Sequence, residues 1–467
     1  MTLDKLPVEL VQQIALQLEN DSDLANLAHV CAALHAAINA GRSGIWRGLF
    51  LRVFGCRGLD DVRHQYQTRR EVLRNGAHFK QGNDNREYDC LKVLRELIIE
   101  SCGVEKEDGT VEGLSHAQML KFVRSTNLLS DFFVPTSKAS TRPLLYAVQV
   151  VLSHLSLDID LHLRMSNFPN SQKAVYATPL AAPIFKGRNK QTVNLEWLLH
   201  MTNFWKNHLT VREEHTLAPN FADLAPCDRP KGWKGSLSSE LTMIGKHWKG
   251  SYAYLSDEEV CQLRTSFPGE EIFSDIFDYE DGFQTLTTTP TPQSQKEIFS
   301  AEFDTLGTQP TPAPSPTKKR PSSLCANCSR TAAPPYLRFQ GHGVDRVQFL
   351  TEGRIYPLPP QQGIPGWRRV LMIKYFYDAE IESAIDPTSL WAYEGCILPG
   401  GEIMLGRWWY PESETDDGQL YCGPFIFWNV PKGDPEEEWY EWMDGTDGEV
   451  PNEHVEADTG DGGKMGH

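Results

Sequence analysis

The segment LDKLPVELVQQIALQLENDSDLANLAHVCAALHAAINAGRSGIWRGLFLRVFG, residues 3–55, governs the reading of the whole chain. Pro7 suits a first helical turn, where its missing N–H costs no hydrogen bond. Glu9 puts an acid near the positive end of the helix dipole. Leu6, Leu10, Ile14 and Leu18 recur every four residues and form one apolar stripe. Asn20-Asp21-Ser22-Asp23 stops that helix and caps the next. Leu24, Leu27, Val30, Cys31, Leu34 and Ile38 form a second stripe. Gly41 to Gly44 breaks the chain, and Ile45, Trp46, Leu49, Phe50 and Val53 begin a third helix. Three helices in about fifty residues make a poor independent core. So many apolar positions in so short a module imply that a partner buries part of its surface.

Leu-Pro-x-Glu-Leu at 6–10, followed by Ile14, Leu18, Asp23-Leu24, Leu27, Val30-Cys31 and Ile45-Trp46, resembles the F-box motif nearly position for position. The resemblance implies a docking module for a Skp adaptor. Leu6, Pro7, Leu10, Ile14, Leu24, Leu27, Val30 and Trp46 would then face the adaptor or support that face. It also implies a substrate receptor of an SCF-type ubiquitin ligase, joined through the adaptor to a cullin scaffold, with no catalytic role and no cofactor.

Beyond residue 60 the text mixes helical stretches with Pro-containing connections up to about 232. Candidate helices are 89–101, 115–129, 143–155 and 194–208. In the last, Leu195, Leu198, Leu199, Phe204 and Trp205 form a buried stripe. From about Ile244 short aromatic and β-branched runs alternate with Gly and Pro. Candidate strands are 246–255, 336–340, 346–351, 367–377, 390–398, 402–409 and 423–430, and Leu398-Pro399-Gly400-Gly401-Glu402 signals a hairpin. Close spacing without helix-length gaps favours an antiparallel meander, sandwich or barrel over 244–431. The fold class expected is α+β multidomain: an N-terminal three-helix module at 1–55, a mixed helical region at 60–232 and a C-terminal antiparallel β-barrel.

The runs HWKGSYAY (247–254), FQGHGVD (339–345), WRRVLMIKYFYD (367–378), WAYEGCILPGGEIMLGRWW (391–409) and GPFIFWNVP (423–431) resemble the C-terminal domain of a group of fungal F-box proteins. The middle segment VYATPLAAPIFKG…VNLEWLLHMTNFWKNHLT resembles the middle of those proteins. The resemblance implies a lipocalin-like barrel. A similar domain in an animal F-box receptor binds degradation signals at protein C-termini. In 402–409, Arg407 shares a strand face with Ile403, Leu405 and Trp409. Either it reaches water at a strand end or it points into a cavity and waits for an acid. Arg407, Trp409, Tyr252 and His342 are the candidate target-binding residues at a barrel mouth. Trp248 reads as a core plug, and Asp345 either caps a turn or touches a target.

Composition narrows the partners. The 467 residues carry 45 basic and 62 acidic side chains, a net charge of −17. That balance disfavours a nucleic-acid or anionic-membrane binder, because phosphate binding needs a concentrated positive field. No apolar run approaches a membrane span, and the N-terminus lacks the build of a signal peptide. Ten scattered cysteines do not make a disulfide scaffold. Cytosol or nucleus is the expected compartment.

Residues 285–335, with TTTPTPQSQ and TQPTPAPSPTKKRPSS, read as a disordered Thr/Pro/Ser insert. Thr289, Thr291, Thr311 and Ser315 each precede a proline and offer phosphorylation sites, although a plain solvated linker is the favoured reading. Residues 432–467 read as an acidic tail, with seven acids and one lysine between Asp444 and Lys464. Cys325-Ala326-Asn327-Cys328 supplies half a zinc site at most, and Lys318-Lys319-Arg320-Pro321 is a weak import signal. No nucleophile–base pair, P-loop or dinucleotide fingerprint emerges. A competing reading is a lipocalin-like carrier of a small molecule or peptide, regulated through its F-box.

Overall fold

The computed structural model describes residues 5–431 except 19, 41–43, 56–60, 77–78, 80–83, 131, 134–139, 188–189, 214, 239–243, 268, 270–271, 278–282, 308–335, 378–384, 387–388 and 415–418. The acidic tail, the CxxC pair, the basic run, Thr311 and Ser315 lie outside the described residues. Residues Met1–Gly433 form one compact unit.

The N-terminal module has four helices rather than three: α1 Val8–Gln17, α2 Asp21–His29, α3 Ala32–Asn39 and α4 Gly44–Phe54. The expected second helix divides because Cys31 is extended, at φ −157° and ψ 165°, and serves as the N-cap of α3. Val11, Leu34 and Ala37 form a small core here. Trp46 is buried and donates its Nε1–H to the Ile38 carbonyl at 3.2 Å.

The middle region contains α5 Val62–Asn75, α6 Asp84–Glu100, α7 Leu114–Ser125, α8 Arg142–Val151, α9 Ser153–Ser156, α10 Phe168–Tyr176, α11 Leu195–Thr210 and α12 Ala218–Asp223. Short strands β1 Cys102–Glu105, β2 Val111–Glu112 and β5 Gly235–Ser236 make a small sheet, and β3 Phe185–Lys186 pairs with β4 Thr192–Val193. Helix α11 is buried nearly all round, so it reads as the axis of the region. Asn194 caps it, accepting from the Trp197 N–H at 3.4 Å.

The C-terminal region is a closed eight-stranded antiparallel barrel: β6 His247–Tyr252, β7 Gln284–Thr291, β8 Leu337–Asp345, β9 Val347–Pro357, β10 Arg368–Tyr375, β11 Trp391–Ile397, β12 Ile403–Glu414 and β13 Leu420–Val430. Each strand pairs with the next, and β13 returns to β6 through pairs such as Phe427↔Gly250. Two helices are attached to it, α13 Asp257–Thr265 and α14 Ser300–Gly307. Ser256 and Glu259 close a capping box at the start of α13.

One expectation is corrected. The Thr/Pro stretch opens as barrel strand β7, hydrogen-bonded to β6 and β8, not as a disordered insert. Thr is β-branched and suits a strand, and Leu286 supplies the inward apolar side chain. The following residues are held too. Glu297 and Asp304 pair with Arg354, Glu297 also lies 3.0 Å from Arg338, and Glu352 accepts from the Ile298 and Phe299 N–H groups at 2.9 and 3.1 Å. Phe299 and Phe303 of this segment pack on Leu371, Ile373 and Tyr375 on the outside of β10.

The three regions share one interior. A single apolar cluster runs from Leu24, Ile45 and Trp46, through Leu94, Leu145 and Trp205, to Ile403, Leu405, Ile426 and Trp428 on the outer face of the barrel. Polar ties cross the same boundary: Trp428 Nε1–H donates to the Asp228 carbonyl at 2.7 Å, and Gln361 accepts from the Val193 N–H at 3.1 Å. The helical region is therefore a packed partner of the barrel.

Candidate functional site

Two surfaces compete for attention. The first lies on α1 and the end of α2. Val11 and Ala15 face the interior, while Leu10 is 51% exposed, Ile14 39% and Val8 48%. Val30, at the end of α2, is 68% exposed. A helix apolar on both its inner and its outer side has one face too many for a free surface helix. Covering four such side chains would contribute about 1 kcal/mol each before association costs.

The second surface was expected at a barrel mouth, and the geometry corrects it. Side chains alternate between the inside and outside of a strand. Tyr252 points inward, its ring 6.1 Å from that of Trp408. Arg407 and Trp409 point outward, toward the helical region. His342 lies on β8 opposite Thr287 and Leu350, outward as well. In the strand order, β8 is four strands from β12 in either direction. The four candidates therefore do not converge.

Arg407 and Trp409 do share a site. They line a cleft of about 310 Å³ with Ile184, Lys190, Leu371 and Glu394. Arg407 is 1% exposed, its guanidinium carbon is 4.9 Å from the Trp197 ring centroid, and its Nη2 donates to the Ala182 carbonyl at 3.2 Å. Burial pushes its pKa below the ordinary arginine value.

The barrel interior is filled by Trp248, Phe339, Phe349, Tyr393, Met404, Trp408, Phe425 and Phe427. Gly406 gives Phe425 its place: a Cβ there would lie 2.5 Å from the Phe425 Cε1. At one end of this core Lys374 and Asp345 form a buried ion pair, with Lys374 Nζ 4.2 Å from the Phe349 ring centroid. Asp345 is thus an interior ion-pair partner rather than a turn cap. Among the described residues, the Gln284 amide and the Asp345 Oδ1 have no hydrogen-bond partner. Burial, and then the Asp345 charge, raise the Tyr393 pKa well above the phenol range.

Two buried polar clusters were not legible in the sequence. Asp275 accepts from Tyr176 at 2.6 Å and Gln172 at 2.7 Å, and lies 3.0 Å from His208 Nε2. Ser171 Oγ lies 3.1 Å from His200 Nδ1. That hydroxyl is wholly buried, bonds the Asn167 carbonyl and accepts from Asn203, while His200 stacks on Phe133 at 3.9 Å. Both clusters tie α10 to its neighbours, and neither presents a free nucleophile.

Residues 3–52 match the F-box-like family. The chain carries an F-box-like domain. No curated protein and no solved structure matched it.

Within the F-box-like domain the sequence-derived residues divide in two. Pro7, Leu10, Ile14 and Val30 are exposed, and Leu6 and Leu27 are half-buried. Leu24 and Trp46 are buried, so they support the face from behind and offer it no contact. Val8 is an outward apolar residue that the every-fourth-residue stripe omitted. It falls between Leu6 and Leu10, off the stripe's spacing, and is visible only once α1 is oriented.

Proposed function

We propose that this chain is the substrate-recognition subunit of an SCF-type ubiquitin ligase. The F-box-like domain binds a Skp-type adaptor and, through it, a cullin scaffold. The barrel and its helical partner hold a target protein. The chain contributes proximity, which is a sufficient source of rate when the conjugating chemistry resides elsewhere. The supporting observation is the outward apolar set Leu10, Ile14 and Val30 inside a segment that matches the F-box-like family. A cytoplasmic or nuclear site of action belongs to the same proposal.

The test is co-purification of the full chain with a Skp adaptor. Leu10→Glu combined with Ile14→Glu places two charges where apolar burial is required, and should abolish capture while the circular dichroism and melting temperature stay as in the parent. Undiminished capture by a folded double variant would refute the reading. A small-molecule carrier needs an open interior, and the aromatic filling of this barrel gives that alternative no support.

A further inference from the structure

Arg407 presents an imbalance that the fold itself does not resolve. A buried guanidinium is ordinarily matched by a carboxylate, because its desolvation is otherwise uncompensated. Arg407 has no ion pair among the described residues. Among the described residues its hydrogen bond goes to the Ala182 carbonyl, and its Nε has no partner. Glu394, the only carboxylate among the described residues lining the cleft, is the cross-strand neighbour of Arg407 and attracts it, but it lies 2.6 Å from Arg369 Nη2 and 3.5 Å from Lys190 Nζ, so two other cations already hold it. Arg264 adds a further positive charge near Arg407, while its own guanidinium donates to the Tyr176 and Leu420 carbonyls. Lys190 is held at φ +47°, a conformation that non-glycine residues adopt at a cost.

We propose that this cleft is an oxyanion-binding site that takes the acidic side chain of a peptide segment, a carboxylate or a phosphate ester. The planar fork of Arg407 suits such a group, and Lys190 stands at the cleft as a second cation. The half-buried Trp409 indole, Ile184 and Leu371 offer apolar contact to the residues flanking the anion. The volume is at the small end of ligand pockets, in keeping with one anchored side chain and its neighbours. The inference deepens the receptor reading, because it names the chemistry of the target feature.

The test measures binding to the purified full chain by calorimetry. Four probes are compared: acetyl-Ala-Glu-Ala-amide, its phosphoserine counterpart, its glutamine counterpart and inorganic phosphate. At least one anionic peptide should bind and the glutamine peptide should not. Arg407→Met should weaken that binding about tenfold or more, the range expected for loss of a charge-assisted hydrogen-bonded pair. Carboxylate and phosphate sources are separated by which peptide binds more tightly. Indifference to both anionic peptides overturns the proposal, as does binding that survives Arg407→Met. Inorganic phosphate binding without either peptide also overturns it. Should Arg407→Met not fold, Lys190→Met decides: unchanged affinity overturns the site, and a loss of about threefold or more supports it. Adaptor capture is measured on the same preparations. Capture without peptide binding removes only this inference, whereas peptide binding without capture removes only the receptor reading.

Discussion

A Cβ built on Gly400 would lie 2.1 Å from the Trp233 Cβ, so the β11–β12 hairpin and the helical region meet where only a glycine fits. Trp233 is buried between His116 and His154, with ring centroids 4.6 and 5.8 Å away. Gly400 is also held at φ +96°. Gly400→Ala should therefore cost roughly 2–4 kcal/mol, combining overpacking with left-handed strain. Gly401, at φ +80° with its nearest neighbour 3.8 Å away, supplies the control. Gly401→Ala should cost only about 1 kcal/mol. Urea midpoints of the two variants check the difference, and equal losses would contradict the packing argument.

Adaptor contact and fold stability should separate by residue. Trp46 belongs to the shared core, so Trp46→Ala should cost roughly 3–5 kcal/mol. Val30→Ser, at an exposed position, should move stability by no more than about 0.5 kcal/mol while weakening adaptor capture. Deleting residues 1–55 is a poor substitute, since it strips Ile45, Leu49, Phe50 and Phe54 from that core. The deletion should yield an aggregating chain by light scattering, whereas the Val30 variant should remain monodisperse.

Stability should respond to pH in two opposing windows. Burial raises the Glu402 carboxyl from 4.5 to about 7, and its Oε2 has no hydrogen-bond partner among the described residues. Between those values the folded chain holds a proton that the unfolded chain has released, so this contribution is full below 4.5 and is lost as pH rises to 7. Glu402→Gln should match the parent near pH 5 and exceed it by roughly 1–3 kcal/mol near pH 8. Burial lowers His116 to about 4, His154 to about 3 and His200 to about 4 from 6.5. For these the unfolded chain binds the extra proton, so stability falls as pH drops below 6.5. Denaturant titrations across pH test both limbs, and a Glu402→Gln advantage independent of pH would contradict the assignment.

The attachment of α14 depends on Glu297, which lies between Arg338 and Arg354. Glu297→Ala would leave Arg354 with Asp304 and Arg338 with the more distant Glu352, and should cost about 2–3 kcal/mol. Because Glu352 holds the Ile298 and Phe299 N–H groups in the same cluster, hydrogen exchange should accelerate from 298 to 306 first. Unchanged protection there would show that Phe299 and Phe303 hold the segment without the ions.

Much of this architecture was legible in the sequence. Aromatic and β-branched runs between Gly and Pro placed seven of the eight barrel strands, and the Leu398–Glu402 signal placed a hairpin. Strand β7 was obscured because composition was read ahead of periodicity: Thr and Pro suggested disorder, yet Leu286 points inward between two paired neighbours. Alternation along β12 correctly grouped Arg407 with Trp409. It gave no registry between distant strands, so Tyr252 and His342 were drawn into a site they do not share. In the F-box-like domain, residues of one stripe, Leu24 and Val30, have opposite fates because Leu24 lies on the inward face of α2 whereas Val30 is its C-cap, just before the extended Cys31.

Barrel closure also imposes an order on biosynthesis. Strand β6 pairs with residues 425–430, so it waits for about 170 further residues to be synthesised before its partner exists. The same late strand brings Ile426 and Trp428 to the shared interior. The F-box-like helices leave the ribosome before the barrel strands, and the ribosome-bound chain meets its surroundings with that interior uncovered. A chain interrupted before residue 425 keeps its F-box-like domain and lacks the strand that seals the barrel. Premature termination would therefore produce a species that carries the F-box-like domain but is exposed to quality control as a misfolded chain.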